Sequence, residues 1–238
     1  MNNFIYHNPT KLVFGKGQIA RLGKLIPADK KIMITFGGGS VRRNGVYDQV
    51  VKALEGRDWV EFWGIEPNPS VETVREAVAL GRENGSDFLL AVGGGSVIDC
   101  CKIVSAQAKT DRDIWEMEFD CHTYPTEFVP MIAIVTAAGT GAEMNNGAVI
   151  TNERKKIKAG VLGAQADVAM LDVSYTMSLP MKQVISGAFD TLSHCMETYF
   201  GKPDENNLSD DINEAVMRSV IRNMRVLLTD PQNEAARS

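Results

Sequence analysis

The 238-residue chain is sparing with the residues that most openly advertise chemistry: three histidines and four cysteines, Cys100, Cys101, Cys121 and Cys195. None of the cysteines stands in a C-x-x-C pair and no basic-then-apolar leader opens the chain, so a disulfide framework is not expected and they read as reduced thiols. Adjacent Cys100 and Cys101 cannot share a helix face, which removes them as a two-sulfur metal grip. Long apolar runs are missing too. The longest kind present, such as Phe88 to Val92, falls far short of the roughly 20 residues a membrane span needs, and together with the missing leader this points to the cytoplasm. Positive charge is not in excess: 25 Lys and Arg against 30 Asp and Glu give a net charge of -5. That balance argues against a grip on nucleic acid or an anionic membrane and favours small-molecule partners. Ser193 lies beside His194 but outside any G-x-S-x-G elbow, so a serine hydrolase is not indicated. Internal repeats and low-complexity tracts are absent as well.

What is present is an alternation. With 44% hydrophobic and 23% charged residues, the chain can bury a core in one large domain or two smaller ones. Lys30 to Phe36 reads as a buried strand running into Gly37-Gly38-Gly39-Ser40, followed by helical spacing over Val46 to Leu54. Val71, Val74, Ala77 and Val78 mark an amphipathic helix ending near Asn84-Gly85, a suitable left-handed C-cap. Phe88 to Val92 is the next strand and enters Gly93-Gly94-Gly95-Ser96, with a small-residue helix over Val97 to Ala108. Lys109 to Phe128 is charged and irregular and is expected to be a surface excursion. Val129 to Val135 is a third strand, ending in Thr136-Ala137-Ala138-Gly139-Thr140-Gly141-Ala142-Glu143. The expected class is therefore α/β, a parallel sheet with helices on both faces. Beyond Leu179-Pro180 the alternation stops, and Ile212, Val216, Val220, Met224 and Leu227 form one stripe of a helix starting near Ser209. The expected division is a dinucleotide-binding domain over 1–180 and the first, cut-short part of an all-helical domain over 181–238.

Two groups of residues suggest chemistry. A glycine turn between strand and helix lets backbone N–H groups approach an anion at the positive end of the helix. Gly93-Gly94-Gly95-Ser96, with Asp99 one turn on, fits this, although it lacks the G-x-G-x-x-G spacing and a bare tight turn would look the same. Three such turns on one sheet favour a ligand, because open α/β sheets bind beyond the carboxyl ends of their strands. Asp190 and His194 stand four apart in the helical stretch Gly187 to Phe200 and could share a cation. From spacing alone, an intrahelical hydrogen bond or a satisfied core histidine is the better reading. His7 and His122, in no patterned context, add no second helical ligand pair.

At this point the sequence resembles the iron-containing (group III) alcohol dehydrogenases, and more closely their butanol dehydrogenase and NADPH-dependent aldehyde reductase branch. Several ordered motifs carry the resemblance: Pro9-Thr10-Lys11-Leu12-Val13-Phe14-Gly15, Glu66-Pro67-Asn68-Pro69, Gly93 to Lys102, Thr136 to Glu143 and Gly187 to Tyr199. It implies a Rossmann-like domain, an all-helical domain, a cleft between them for a nicotinamide cofactor and a divalent metal, Fe²⁺ or Zn²⁺, and a homodimer. By the same resemblance Asn68, Gly94, Gly95, Ser96, Asp99, Thr136 and Lys158 line the cofactor, and Asp190 and His194 are two of four metal ligands, the other two being histidines farther along the helical domain. Ala142 departs from the serine usual in that turn. The position of Gly38 resembles an aspartate in NAD-using relatives; glycine here, with the Gly39 backbone and the Ser40 hydroxyl as donors and Arg42 and Arg43 close by, implies NADP(H) over NAD(H). Hydride transfer between NADP(H) and a short-chain alcohol or aldehyde is the implied activity. The competing expectations are a nucleotide-binding fragment without catalysis and a glycerol dehydrogenase-like polyol oxidoreductase.

Overall fold

The computed structural model describes residues 3, 5–201 and 207–238. In chain order it runs β1 (Lys11–Phe14), α1 (Leu22–Leu25), β2 (Ile32–Phe36), α2 (Ser40–Arg43), α3 (Val46–Ala53), β3 (Trp59–Phe62), α4 (Val71–Glu83), β4 (Phe88–Gly93), α5 (Gly95–Gln107), α6 (Ile114–Phe119), β5 (Met131–Val135), β6 (Gly147–Asn152), β7 (Ile157–Leu162), β8 (Val168–Leu171), α7 (Met181–Tyr199), α8 (Leu208–Leu227) and α9 (Glu234–Arg237). Six strands form one sheet in the order β1-β8-β5-β4-β2-β3, each neighbour parallel, and β6 and β7 pair as an antiparallel hairpin.

Parallel strands covered on both sides need apolar residues at every position rather than at alternate ones. The three central strands show this, being buried from end to end. Met33, Leu89, Ala91, Met131 and Ala133 turn one way and join a core with Val74, Val78, Ile98, Cys101 and Val104 of α4 and α5. Ile32, Ile34, Phe36, Leu90, Val92, Ile132 and Ile134 alternate with them and are equally inaccessible, so a second helical layer covers the other face. Ser70 caps α4 by accepting from the Thr73 N–H at 3.1 Å, and Gly85 follows its end in the left-handed region, φ 65°, as the Asn84-Gly85 pair implies.

One expectation is corrected. The stretch from Lys109 to Phe128 is not only a surface excursion, because it contains α6, whose Ile114, Trp115, Met117 and Glu118 are buried. Asp113 caps this short helix by accepting from the Glu116 N–H and is itself held by Arg75 at 2.7 Å. Its many acidic residues hid a helix only six residues long.

The chain divides into two compact units: 1–136 with 141–172, and 137–140 with 173–238. Pro180, where the change of pattern falls, is the N-cap of α7 in the second unit. There α7 packs on α8 and α8 on α9. A capping box at Asn207 and Asp210 starts α8, near the expected Ser209. Its stripe is unevenly covered: Ile212 is 56% exposed and Leu227 3%. Among the described residues no helix is long and apolar enough to cross a membrane.

Candidate functional site

Strands β2, β4 and β5 lie side by side, so the three small-residue turns expected from the sequence open along one edge of the sheet. At the central turn, Gly93 is required by its neighbour: a Cβ there would meet Val97 Cγ2 at 2.5 Å. Gly94 caps α5 without a side-chain hydrogen bond, leaving its first N–H groups to a ligand or to solvent. Thr136, buried at the end of β5, donates its backbone N–H to the Gly93 carbonyl at 2.9 Å and binds the two turns together.

The loop before α4 is brought to this turn from a distance in sequence. Asn68 adopts the left-handed region, φ 58°; its N–H donates to Ser96 Oγ at 3.3 Å and its Oδ1 accepts from Lys158 Nζ at 2.6 Å. Glu66 fixes the loop by accepting from the Ser70 N–H at 2.8 Å and from the Thr73 hydroxyl. Burial works to raise the Glu66 carboxyl, but these hydrogen bonds outweigh it and hold the group below its ordinary range. Lys158 arrives on β7, whose partner β6 is tied down by Asp99: its Oδ2 accepts from the Val149 N–H at 3.0 Å. Burial raises the Asp99 carboxyl, opposed by that bond and by the ammonium groups of Lys102 and Lys158. Asn68, Ser96, Asp99 and Lys158, scattered over 90 positions, thus form one connected cluster beside the glycine turn.

Sequence reasoning passed over Lys102, the fully buried anchor of this cluster. It donates to Asn145 Oδ1 at 3.0 Å and to the Gly147 carbonyl at 2.7 Å, with Asp99 Oδ1 3.8 Å away. A lysine three residues after an aspartate inside an otherwise small and apolar helix was the available signal.

At the end of β2, Gly39 has φ 88° and leads into Ser40 at the start of α2. A Cβ at Gly38 or Gly39 would meet nothing within 4 Å, so open space adjoins this turn. Elsewhere, in the helical unit, Asp190 and His194 share a face of α7, with Asp190 Oδ1 3.8 Å from His194 Nε2 and Glu197 Oε2 3.7 Å from His194 Nδ1. Both members of the pair are about half exposed. They suit a divalent cation in donor type, yet no group of three or more His, Cys, Asp or Glu among the described residues is arranged to hold one. The pair fits two ligands of a site and no more.

A family profile described as iron-containing alcohol dehydrogenase matches residues 9–173, and the chain belongs to that family. It is 42% identical over 98% of its length to a probable NADH-dependent butanol dehydrogenase of Bacillus subtilis, covering 61% of that protein. It is likewise 42% identical over its full length to the NADPH-dependent aldehyde reductase YqhD of Escherichia coli, covering 62% of it. Among solved structures it superimposes with a TM-score of 0.94 on an NADH-dependent butanol dehydrogenase A from Thermotoga maritima, at 40% identity, covering all of this chain and 61% of that one. The chain therefore spans about three fifths of the proteins it matches.

Proposed function

We propose that this chain supplies the nicotinamide-dinucleotide site, and two metal ligands, of an oxidoreductase that passes hydride between NADP(H) and a short-chain alcohol or aldehyde. The observation that carries the reading is the assembly of Asn68, Ser96, Asp99 and Lys158 around an uncapped glycine turn at the carboxyl edge of a parallel sheet. The backbone N–H groups that open α5 would receive the pyrophosphate, where the helix end adds its partial positive charge. Lys158, already oriented by Asn68, offers an ammonium to the ribose or phosphate oxygens, and Asp99 holds the hairpin that carries it. Asp190 and His194 are the side chains that would hold Fe²⁺ or Zn²⁺, with further positions filled by other ligands. Bound there, the metal would polarise the substrate oxygen while the nicotinamide carries the hydride. A homodimer is the proposed assembly, on the family resemblance.

Preference for NADP(H) is part of the proposal. The relatives divide, one being NADPH-dependent and another NADH-dependent by name, so the reading rests on the turn at Gly38. Glycine there leaves room for a phosphate and places no carboxylate against it. The test is Gly38→Asp, which the open space accommodates: the dissociation constant for NADPH should rise about tenfold while that for NADH holds or falls. Equal affinity of the unaltered chain for the two nucleotides would refute the preference.

A further inference from the structure

The turn at Gly38 is flanked by an aromatic cluster. Trp63, just past β3, stacks on Phe36 with ring centres 4.1 Å apart and planes 17° from parallel. The Arg42 guanidinium lies over the Trp63 ring at 4.0 Å and near the Tyr47 ring at 5.2 Å. Glu61 completes the group: it accepts from the Tyr47 hydroxyl at 2.7 Å and from the Trp63 indole N–H, and its Oε2 is 3.8 Å from Arg42 Nη2.

Three consequences follow from chemistry. An arginine spread on an indole has given up part of its rotamer freedom before any ligand arrives. Its nearest carboxylate oxygen stands beyond hydrogen-bonding distance, so the guanidinium makes no side-chain hydrogen bond among the described residues and its N–H fork remains available to an anion. That fork sits on α2, directly after the turn whose glycines border open space, and its side chain is 58% exposed. A planar fork facing water beside a nucleotide turn suits a phosphate monoester, which it can engage through two parallel hydrogen bonds.

We propose that Arg42, mounted on Trp63, receives the 2′-phosphate of NADP(H), and that this platform sets cofactor choice together with Gly38. The assignment rests on the reading that the glycine edge binds a nicotinamide dinucleotide. It locates the selectivity in a cation, where the Gly38 argument locates it in the lack of an anion.

The experiment is calorimetric titration of the 238-residue chain with NADPH, NADH, 2′,5′-ADP and 5′-ADP, the last two reporting the adenosine end without the nicotinamide. Arg42→Met should weaken NADPH and 2′,5′-ADP on the order of tenfold and leave NADH and 5′-ADP within about twofold. Trp63→Leu should produce a smaller loss confined to the same two ligands, and Arg42→Lys should recover part of it, since the charge stays while the fork is lost. Loss shared equally by all four ligands, or by none, overturns the assignment to the 2′-phosphate while the dinucleotide reading stands. Failure of the unaltered chain to bind any of the four overturns both.

Discussion

Lys102 offers a sharp test of the buried cluster around Asp99, because its burial has a quantitative consequence. Its side chain has no exposure at all, and burial pushes its ammonium down from 10.5 to about 8, against the opposing pull of Asp99 and Glu143. A base whose folded value is depressed is penalised in its charged form. The folded protein therefore carries the full penalty below about pH 8 and loses it as pH climbs toward the unfolded value of 10.5. At about 1.4 kcal/mol per pKa unit, stability attributable to this residue should rise by about 2.5 kcal/mol between about pH 7 and about pH 10. The neutral amine keeps N–H groups for Asn145 and Gly147, so the contacts survive the titration. Lys102→Met removes the titrating group and retains much of its volume. Urea unfolding followed by tryptophan fluorescence at both pH values gives the stability of each protein. Wild type should gain on the variant by about 2.5 kcal/mol across that window. A gap that stays constant with pH would show that Lys102 is neither desolvated nor depressed, and would refute the account.

Two further outcomes test the local structure. Ser70→Ala removes the acceptor for the Thr73 N–H and should cost about 1 kcal/mol of stability by denaturant unfolding, with no change if water replaces the cap without loss. Gly187→Ala places a Cβ 2.5 Å from the Ala138 carbonyl oxygen, a backbone atom that cannot turn aside; a loss of about 1–3 kcal/mol is expected, and an unaltered melting temperature would show that the loop moves freely.

Much of the sheet was legible because the physics of a doubly covered parallel strand writes itself as an uninterrupted apolar run. Lys30 to Phe36, Phe88 to Val92 and Val129 to Val135 each match an observed strand to within two residues at either end, the second stopping one residue short of Gly93. The edge strands were not legible. Every residue of Trp59–Phe62 is only partly buried and β1 shows one buried position, so neither a continuous run nor a clean alternation marks them. The hairpin β6 and β7 escaped for another reason: it pairs with itself, outside the main sheet, and its Lys158, singled out only through the family resemblance, meets Asn68 from 90 positions away. Spacing found Asp190 and His194 on one face of α7, and the structure places them there, with no group of three or more such donors arranged to hold a metal among the described residues.

The conformation of Asn68 shows why a site like this is hard to read from local preference. A non-glycine residue in the left-handed region costs on the order of 1 kcal/mol, and asparagine is among the few that accept it. Glycine at that position would remove the cost and with it the amide. The chain instead keeps the side chain and surrounds it with restraints: proline on both sides, Glu66 bridging Ser70 and Thr73, and the Thr151 N–H on the Pro69 carbonyl at 2.8 Å. Their common effect is to aim one carboxamide oxygen at Lys158 and one backbone N–H at Ser96. Strain retained where a strain-free residue was available argues that the position of the amide, rather than the stability of the loop, is what these contacts secure.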